Sequence, residues 1–166
     1  MNDYFIILAS GQSKRFNSKK PKQFITYKNK ALFEHSLDKA ISSKLFKKII
    51  IVVMNKNLIK KKYGKNVIII KGGKERSDSS LIALKYIKKF KPNNVLIHDA
   101  ARPNFSIQLL SKLITSLKKN KASIPVIDSK DSIKYKIKNQ LFNLNRNNSF
   151  LTQTPQAFRF KDLYDL

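Results

Sequence analysis

Three short stretches of the sequence combine small residues with charged side chains in a pattern that suits phosphate binding. They are Leu8-Ala-Ser-Gly-Gln-Ser-Lys-Arg-Phe16, Gly72-Gly-Lys-Glu-Arg-Ser-Asp-Ser79 and His98-Asp-Ala-Ala-Arg-Pro103. Three of the four glycines and three of the five arginines lie in these stretches. Glycine lets backbone N–H groups approach an anion, and arginine grips phosphate or carboxylate with paired hydrogen bonds. The sequence therefore predicts a ligand that carries phosphate.

The first stretch predicts a site for polyphosphate. Gly11 and its small neighbours Ala9 and Ser10 allow backbone N–H groups to come close, while Arg15 and Lys22 supply positive charge for an anionic transition state. Neither a Walker P-loop (GxxxxGK[ST]) nor a dinucleotide fingerprint (GxGxxG) is present. The chemistry of those two motifs is therefore disfavoured.

The second stretch has two interpretations. Gly72 and Gly73 can hold a base or a ribose against the backbone, with the Ser79 hydroxyl as a partner near a helix start. Alternatively, the glycines serve a tight turn that requires positive φ. The sequence leaves both open.

The third stretch carries the best candidate for a metal ligand. Asp99 ends an apolar run, where a carboxylate is costly without a cation, and Arg102 can clamp a second phosphate. His98 is expected to satisfy a local hydrogen bond, and His35 to lie on a helix surface or pack there. Neither histidine lies in a pattern that suggests a catalytic triad.

The elements that must position these residues alternate between strands and helices. Strands are predicted at Tyr4–Ala9, Lys48–Val53, Val67–Lys71, Asn94–His98 and Ser123–Val126. This order predicts βαβ units, and hence an α/β fold with a parallel sheet covered by helices on both faces. Ligands bind beyond the carboxyl ends of such strands, which is where the three stretches fall.

Three segments have the apolar period of a helix. One helix, near Ser77, is expected to be capped by Ser77 with Asp78. The inward positions of the three helices are predicted to be Leu32, Phe33, Ser36, Leu37, Ala40 and Ile41; Leu81, Leu84 and Ile87; and Leu109, Leu110, Leu113, Ile114 and Leu117.

Residues 132–150 break this alternation. Apolar and basic residues alternate there and are followed by Asn-Gln, which predicts a two-stranded hairpin, either an ordinary sheet edge or a functional arm. The last residues, 160–166, resemble the first turn of a helix too short to be stable alone. We therefore expect a single domain over residues 1–166, incomplete at its C-terminus, with an arm at about 127–150.

The composition narrows the class of protein. The net charge is +25, but the lysines are scattered along the whole chain and are not gathered in a basic helix with aromatic residues, so nucleic-acid binding is not expected. There is no cysteine, which is compatible with a reducing compartment, and no long apolar run or signal sequence is present. We expect a cytoplasmic protein that does not bind membranes.

Eight motifs in order along the chain carry a resemblance to a known family. They are LASGQSKRF, PKQF, FEHSL, GGKERSDSS, HDAARP, PVID, DSIK and QTPQAF. Together they strongly resemble the 2-C-methyl-D-erythritol 4-phosphate cytidylyltransferase family, over nearly the whole chain. The resemblance implies a Rossmann-like α/β nucleotidyltransferase fold with a projecting β-arm that forms a homodimer. It also implies transfer of CMP from CTP to 2-C-methyl-D-erythritol 4-phosphate, with Mg²⁺, in non-mevalonate isoprenoid biosynthesis.

The resemblance also implies roles for particular residues. Arg15 and Lys22 match the catalytic basic pair, and Asp99 matches a position that holds metal or substrate. The positions that match nucleotide contacts are Ala9, Ser10, Gly11, Gly73 and Ser79. Those that match contacts to metal or to the polyol phosphate are Asp99, Arg102, Ser132, Arg146 and Thr154, of which Ser132 and Arg146 lie on the arm and reach the neighbouring subunit's site.

The sequence departs from the family pattern in three places, which are Ser132, Ser80, where valine is usual and packing is affected more than chemistry, and the end of the chain. The family usually has threonine where Ser132 is placed, and Ser129 is a second candidate. The family also continues past the position of Leu166 with a strand that carries a further catalytic lysine. Two alternatives stay open: a ribitol-5-phosphate cytidylyltransferase, which has similar CTP loops, and a non-catalytic basic domain that binds nucleic acid.

Overall fold

The computed structural model describes residues 2–11 and 20–166. The strands are β1 (Asp3–Ala9), β2 (Thr26–Tyr27), β3 (Lys30–Ala31), β4 (Lys48–Val53), β5 (Val67–Lys71), β6 (Asn94–Asp99), β7 (Ala122–Ser123), β8 (Val126–Asp128), β9 (Lys134–Ile137), β10 (Gln140–Asn143), β11 (Phe150–Thr152) and β12 (Gln156–Arg159). The helices are α1 (Leu32–Ser42), α2 (Arg76–Lys88), α3 (Ile107–Ser116) and α4 (Phe160–Tyr164).

The central sheet has six strands in the order β5-β4-β1-β6-β12-β7. The four strands from β5 to β6 are parallel, and β12 runs antiparallel to both of its neighbours. Every residue of β1 is buried, because this strand lies at the centre of the sheet and is covered on both faces. The predicted α/β architecture with a mostly parallel sheet is confirmed.

Alternate residues of β1 belong to two separate hydrophobic cores, one on each face of the sheet. Phe5 and Ile7 pack with helices α1 and α3 on one face of the sheet. Tyr4 and Ile6 pack with α2 and α4 on the other face. Because side chains alternate across a strand, an unbroken apolar run is what a strand buried between two helical layers requires.

One predicted strand is wrong in detail, and one strand of the central sheet was not predicted. A single strand at Ser123–Val126 does not form: Ala122–Ser123 pairs with β12, whereas Val126–Asp128 pairs with β11. Pro125 lies between them and has no N–H to donate to a ladder. Strand β12 was not predicted, because its four residues are too few to show a period.

Helix α2 begins one residue before Ser77. The carboxylate of Asp78 accepts a hydrogen bond from the backbone N–H of Glu75 at 3.1 Å, so Asp78 caps the helix as predicted, while Ser77 lies inside it. Leu81, predicted to face inward, is 48% exposed. Its place in the core is taken by Ala83, which with Leu84 and Ile87 completes the buried face.

The predicted hairpin is confirmed. Strands β9 and β10 pair antiparallel, and β8 and β11 form a second two-stranded ribbon at its base. We call residues 127–150 the arm. None of its strands joins the six-stranded sheet.

Asp3 is a buried carboxylate at the start of β1. Its Oδ1 accepts from Asn94 Nδ2 at 2.9 Å, whereas Oδ2 has no hydrogen-bond partner among the described residues. Burial raises the pKa of Asp3 above its ordinary value of 3.8. Ionisation of Asp3 therefore lowers the stability of the folded state. The loss begins as the pH rises through the pKa of Asp3 in the unfolded chain and is complete above its raised pKa in the folded protein.

We expect Asp3→Asn to raise the free energy of unfolding at pH 7 by about 1 kcal/mol, because it removes the buried charge and keeps the oxygen that accepts from Asn94. Denaturant unfolding at pH 7 and pH 4.5 measures the gain, which should shrink at the lower pH. Asp165→Asn, at an exposed position, is the control. A gain that is independent of pH would contradict the assignment.

Candidate functional site

The described parts of the three stretches meet at the carboxyl edge of the sheet, as predicted. Gly72 N donates to Val53 O at 2.8 Å, and Ala100 N donates to Leu8 O at 3.1 Å, so each stretch begins where a parallel pair ends. Strand β1 lies between β4 and β6, which is where the strand order reverses and where ligands bind in folds of this kind. A cavity of about 320 Å³ opens there, lined by Leu8, Ser10, Gly11, Gln23, Lys74, Glu75, Arg76, Asp99, Ala100, Ala101 and Arg102.

Two buried hydroxyls join the first stretch to the second. Ser10 Oγ and Ser79 Oγ lie 2.7 Å apart, and Gly73 N donates to Ser79 Oγ at 3.2 Å. Ser79 is completely buried, so its hydroxyl is placed to hold the Gly73 backbone at the edge of the cavity. A direct contact between Ser79 and a nucleotide stays a prediction.

Positions 72 and 73 require glycine because neighbouring side chains lie too close for a Cβ to fit. No described glycine has a positive φ, so the interpretation of a turn with positive φ is wrong. A Cβ at Gly72 would lie 2.8 Å from Ser79 Oγ, and a Cβ at Gly73 would lie 2.3 Å from Asp78 Cβ. At Gly11, by contrast, a Cβ would meet no atom of residues 2–11 and 20–166 within 4 Å.

Gln23 is a site residue that the sequence reasoning did not single out. Its side chain is buried, and Nε2 donates to Ala9 O at 2.8 Å and to Gly11 O at 2.7 Å. The amide therefore fixes the carbonyls of Ala9 and Gly11. We call residues 9–11 the glycine turn. The signal available in the sequence was an uncharged polar residue within the basic PKQF motif.

The predicted basic pair is described only in part. Lys22 is exposed and begins a short 3-10 turn, Lys22–Phe24, which is held against the glycine turn by Gln23. Arg15 lies outside the described residues. Its predicted role stays a prediction.

Asp99 lies between two arginines. Arg76 Nε donates to Asp99 Oδ1 at 2.9 Å, and Arg102 Nε lies 3.5 Å from Oδ2. The guanidinium groups thus supply the positive charge that a carboxylate at a strand end requires. Arg76 links the second stretch to the third, a role that the sequence reasoning did not assign to it.

His98 is buried in a hydrogen-bonded chain of side chains. Its Nε2 lies 3.0 Å from Ser36 Oγ, and its Nδ1 lies 3.0 Å from Thr154 Oγ1. Burial lowers the pKa of His98 to about 3, so the imidazole is neutral. The prediction that His98 satisfies local hydrogen bonds is confirmed. His35 lies on helix α1, where its Nε2 is 2.8 Å from Tyr27 O, as expected for a helix-surface residue.

Thr154 connects the third stretch to a second cavity. Its Oγ1 accepts from the backbone N–H of Asp99 at 3.3 Å. This cavity, of about 580 Å³, is lined by Ala101, Arg102, Pro103, Asn104, Phe105, Leu109, Pro125, Val126, Ile127, Gln153 and Thr154. Arg102 lines both cavities and also donates from Nη1 to Gln153 Oε1 at 3.2 Å.

The predicted arm residues lie apart from these cavities within the same chain. Ser132 and Arg146 are exposed, and neither lines either cavity. Ser129, the other candidate, is buried, and its hydroxyl donates to Asp131 O at 3.0 Å. Which of the two serines contacts substrate stays a prediction.

Asp99 is the predicted metal ligand, and both of its carboxylate oxygens lie against arginine side chains. Residues 2–11 and 20–166 contain no cluster of three or more His, Cys, Asp or Glu side chains that could hold a metal. However, Mg²⁺ is commonly held by one or two carboxylates, with substrate phosphates and water completing the shell. The Asp99 carboxylate lines the first cavity and is 27% exposed, which is compatible with such a ligand, and its role in binding metal stays a prediction.

The chain matches one protein family over nearly its whole length. The profile described as 2-C-methyl-D-erythritol 4-phosphate cytidylyltransferase matches residues 4–166. The chain is 54% identical, over all of its length, to the bifunctional enzyme IspD/IspF of Pelagibacter ubique. It is 34% identical over 96% of its length to the 2-C-methyl-D-erythritol 4-phosphate cytidylyltransferase of Thermosipho melanesiensis. The structure of the bifunctional IspDF from Campylobacter jejuni superposes with a TM-score of 0.84 at 33% identity, over 99% of the chain.

The chain is shorter than these relatives. It spans 45% of the Pelagibacter protein, 42% of the Campylobacter chain and 74% of the Thermosipho protein. In the described part of the chain, no helix has the length and apolar character needed to cross a membrane.

Proposed function

Because the chain belongs to the 2-C-methyl-D-erythritol 4-phosphate cytidylyltransferase family, we propose that the complete protein transfers CMP from CTP to 2-C-methyl-D-erythritol 4-phosphate. The observation that carries this proposal is one cavity lined by Ser10 and Gly11, by Lys74, Glu75 and Arg76 of the loop after Gly73, and by the arginine-bound Asp99. The products are 4-diphosphocytidyl-2-C-methyl-D-erythritol and pyrophosphate, as in non-mevalonate isoprenoid biosynthesis.

The proposed reaction is an in-line nucleotidyl transfer. A phosphate oxygen of the polyol phosphate forms a bond to the α-phosphorus of CTP, and the bond from that phosphorus to the bridging oxygen of the β-phosphate breaks. The electron pair of the broken bond leaves with pyrophosphate. The reaction joins two anions, so the protein must hold them in line and stabilise the charge that develops.

The described residues can share this work. The turn at Ala9, Ser10 and Gly11, fixed by Gln23, presents backbone to the triphosphate. We propose that Lys22 stabilises the negative charge that develops on the α-phosphate, and that Arg15 does so too, by family resemblance. Gly73, held by Ser79, borders the nucleotide.

The polyol phosphate belongs, in this proposal, on the side of the cavity formed by Asp99, Arg102 and Thr154. Arg102 and Thr154 line the second cavity, which adjoins the first through Arg102. When bound at Asp99, Mg²⁺ would neutralise triphosphate charge and polarise the α-phosphate.

The substrate is tested by measuring pyrophosphate release on the full gene product with CTP and each of two polyol phosphates. We expect turnover with 2-C-methyl-D-erythritol 4-phosphate. Turnover with ribitol 5-phosphate alone would overturn the proposal in favour of the related cytidylyltransferase. Salt-sensitive duplex binding with no CTP-dependent thermal shift would favour the nucleic-acid-binding alternative, although a localised basic helix is lacking in the sequence.

The arm is proposed to form a homodimer and to complete the neighbouring site. Its apolar side chains are widely exposed in the single chain: Ile127 is 53%, Ile137 52% and Leu141 67% accessible. Exposed apolar surface of this extent is typical of interaction sites. Ser132 and Arg146, on this arm, would then meet the polyol phosphate of the partner.

We expect a mixture of Lys22→Ala and Arg146→Ala chains to recover activity if sites are shared. A mixed dimer then has one doubly altered site and one unaltered site, so random mixing restores up to about a quarter of the sites. Pyrophosphate release after co-refolding or subunit exchange measures the recovery, with the two separate variants as controls. No recovery in a verified mixed dimer would show that each site is built from one chain.

The proposed reaction belongs to the cytoplasm. The absence of cysteine from the sequence and the use of CTP support this location. Fractionation of cells that produce the full gene product would test it.

A further inference from the structure

The hydrogen bonds around His98 limit where its single ring proton can lie. A neutral imidazole has one N–H donor and one acceptor nitrogen, and a hydroxyl has one proton and two lone pairs. Within residues 2–11 and 20–166, the Ser36 hydroxyl has one hydrogen-bond partner, His98 Nε2. Ser36 and His98 are both completely buried, so a proton left without an acceptor there would be costly.

Two arrangements of protons are possible. If Nε2 carries the proton, it donates to Ser36 Oγ, and the buried Ser36 proton is left without a described acceptor. If Nδ1 carries the proton, Ser36 donates to Nε2 and Nδ1–H donates to Thr154 Oγ1. The second arrangement satisfies every proton of Ser36 and His98.

This arrangement determines what Thr154 can do. Its two lone pairs accept from His98 Nδ1 and from the backbone N–H of Asp99. Its own O–H proton is then left over, and no described group accepts it. Thr154 lines the second cavity beside Arg102, so this proton is available to an anionic oxygen there.

We infer that His98 is a positioning residue that, held by Ser36, keeps Thr154 as a hydrogen-bond donor to the polyol phosphate. His98 also fixes the Asp99 backbone through the same hydroxyl. The inference rests on the proposed function, since it assigns the anionic oxygen to that substrate. The inference gives helix α1, which carries Ser36, an indirect role in binding the polyol phosphate.

The proton arrangement is tested without any measurement of activity. In the full gene product labelled with ¹⁵N-histidine, the His98 signals are assigned by their loss in His98→Asn. Protonated and unprotonated ring nitrogens resonate far apart, so the spectrum identifies the tautomer. We expect a protonated Nδ1 and an unprotonated Nε2; a protonated Nε2 would overturn the inference.

Kinetics separate positioning from simple packing. We expect His98→Leu to raise KM for the polyol phosphate about tenfold, with KM for CTP changed less than about twofold, because one substrate loses an oriented donor. His98→Asn, whose amide N–H lies near the place of Nδ1, should recover most of the loss. His98→Leu added to Thr154→Val should cause little further change.

Other outcomes contradict the inference. Equal effects on both KM values, or no difference between His98→Asn and His98→Leu, would indicate a role in packing alone. If the unaltered protein releases no pyrophosphate, the proposed function fails, whereas the tautomer still decides whether His98 donates to Thr154. If the leucine variant does not fold, the asparagine variant and the spectrum of the unaltered protein decide.

Discussion

Replacing Lys22 by alanine is expected to lower kcat by about two to three orders of magnitude, with a smaller change in KM for CTP. The charge of this side chain is needed most when the α-phosphate carries its greatest charge, in the transition state, so its loss affects turnover more than binding. Lys22 is exposed beside the glycine turn, and Gln23, the next residue, is bonded directly to that turn. Arg15→Ala should have a similar effect by the family resemblance.

Lys20→Ala is the matched control for Lys22→Ala, because it removes the same charge two residues away. Steady-state pyrophosphate release on the full gene product, with each substrate varied in turn, measures both variants. Lys20→Ala should change kcat less than about threefold, as is usual for a charge outside the reaction centre. Equal losses in the two variants would mean that the loop acts as a diffuse basic patch.

Asp99→Asn is expected to reduce kcat/KM for the polyol phosphate by about a hundredfold or more. The carboxylate separates the guanidinium groups of Arg76 and Arg102, and its loss leaves two like charges together while weakening the proposed metal site. The backbone N–H of Asp99 still donates to Thr154, so the fold at this strand end should persist.

Varying Mg²⁺ in the assay separates the two roles of Asp99. If the carboxylate binds metal, Asp99→Asn should require more Mg²⁺ for half-maximal rate. A pure role in holding the arginines would leave this concentration unchanged. Asp38→Asn, which removes an exposed carboxylate paired with Lys30, is the control. A loss below about threefold in Asp99→Asn would contradict both roles.

The parallel strands could be predicted from the sequence because each carries an apolar run, and three of the four, β4, β1 and β6, are buried on both faces. Strand β1 is the clearest case, with seven buried residues in succession. Knowing that such strands share one edge was enough to predict that Gly11, Gly73 and Asp99 would lie together. No knowledge of side-chain contacts was needed for that step, because it follows from topology.

The parts that could not be predicted depend on contacts between distant residues. Strand β12 is defined by its ladder to β6 rather than by its own composition. The roles of Gln23 and Ser36 depend on a carbonyl and a histidine that only the folded chain brings within reach. In the same way, the sequence left Gly72 and Gly73 open between a ligand contact and a turn with positive φ, whereas the structure requires glycine there because there is no space for a Cβ beside Ser79 and Asp78.

The position of β12 also constrains how this chain can be made in the cell. This strand pairs with β6 and β7 at once, so it joins two earlier parts of the chain that do not pair with each other. During synthesis β6 therefore emerges from the ribosome with one side of its backbone unpaired, and it keeps that open edge until residue 159 has left the exit tunnel. Unpaired strand edges favour association with other chains. The interval between the translation of β6 and that of β12 is thus one in which the nascent sheet has an exposed, unpaired edge at β6.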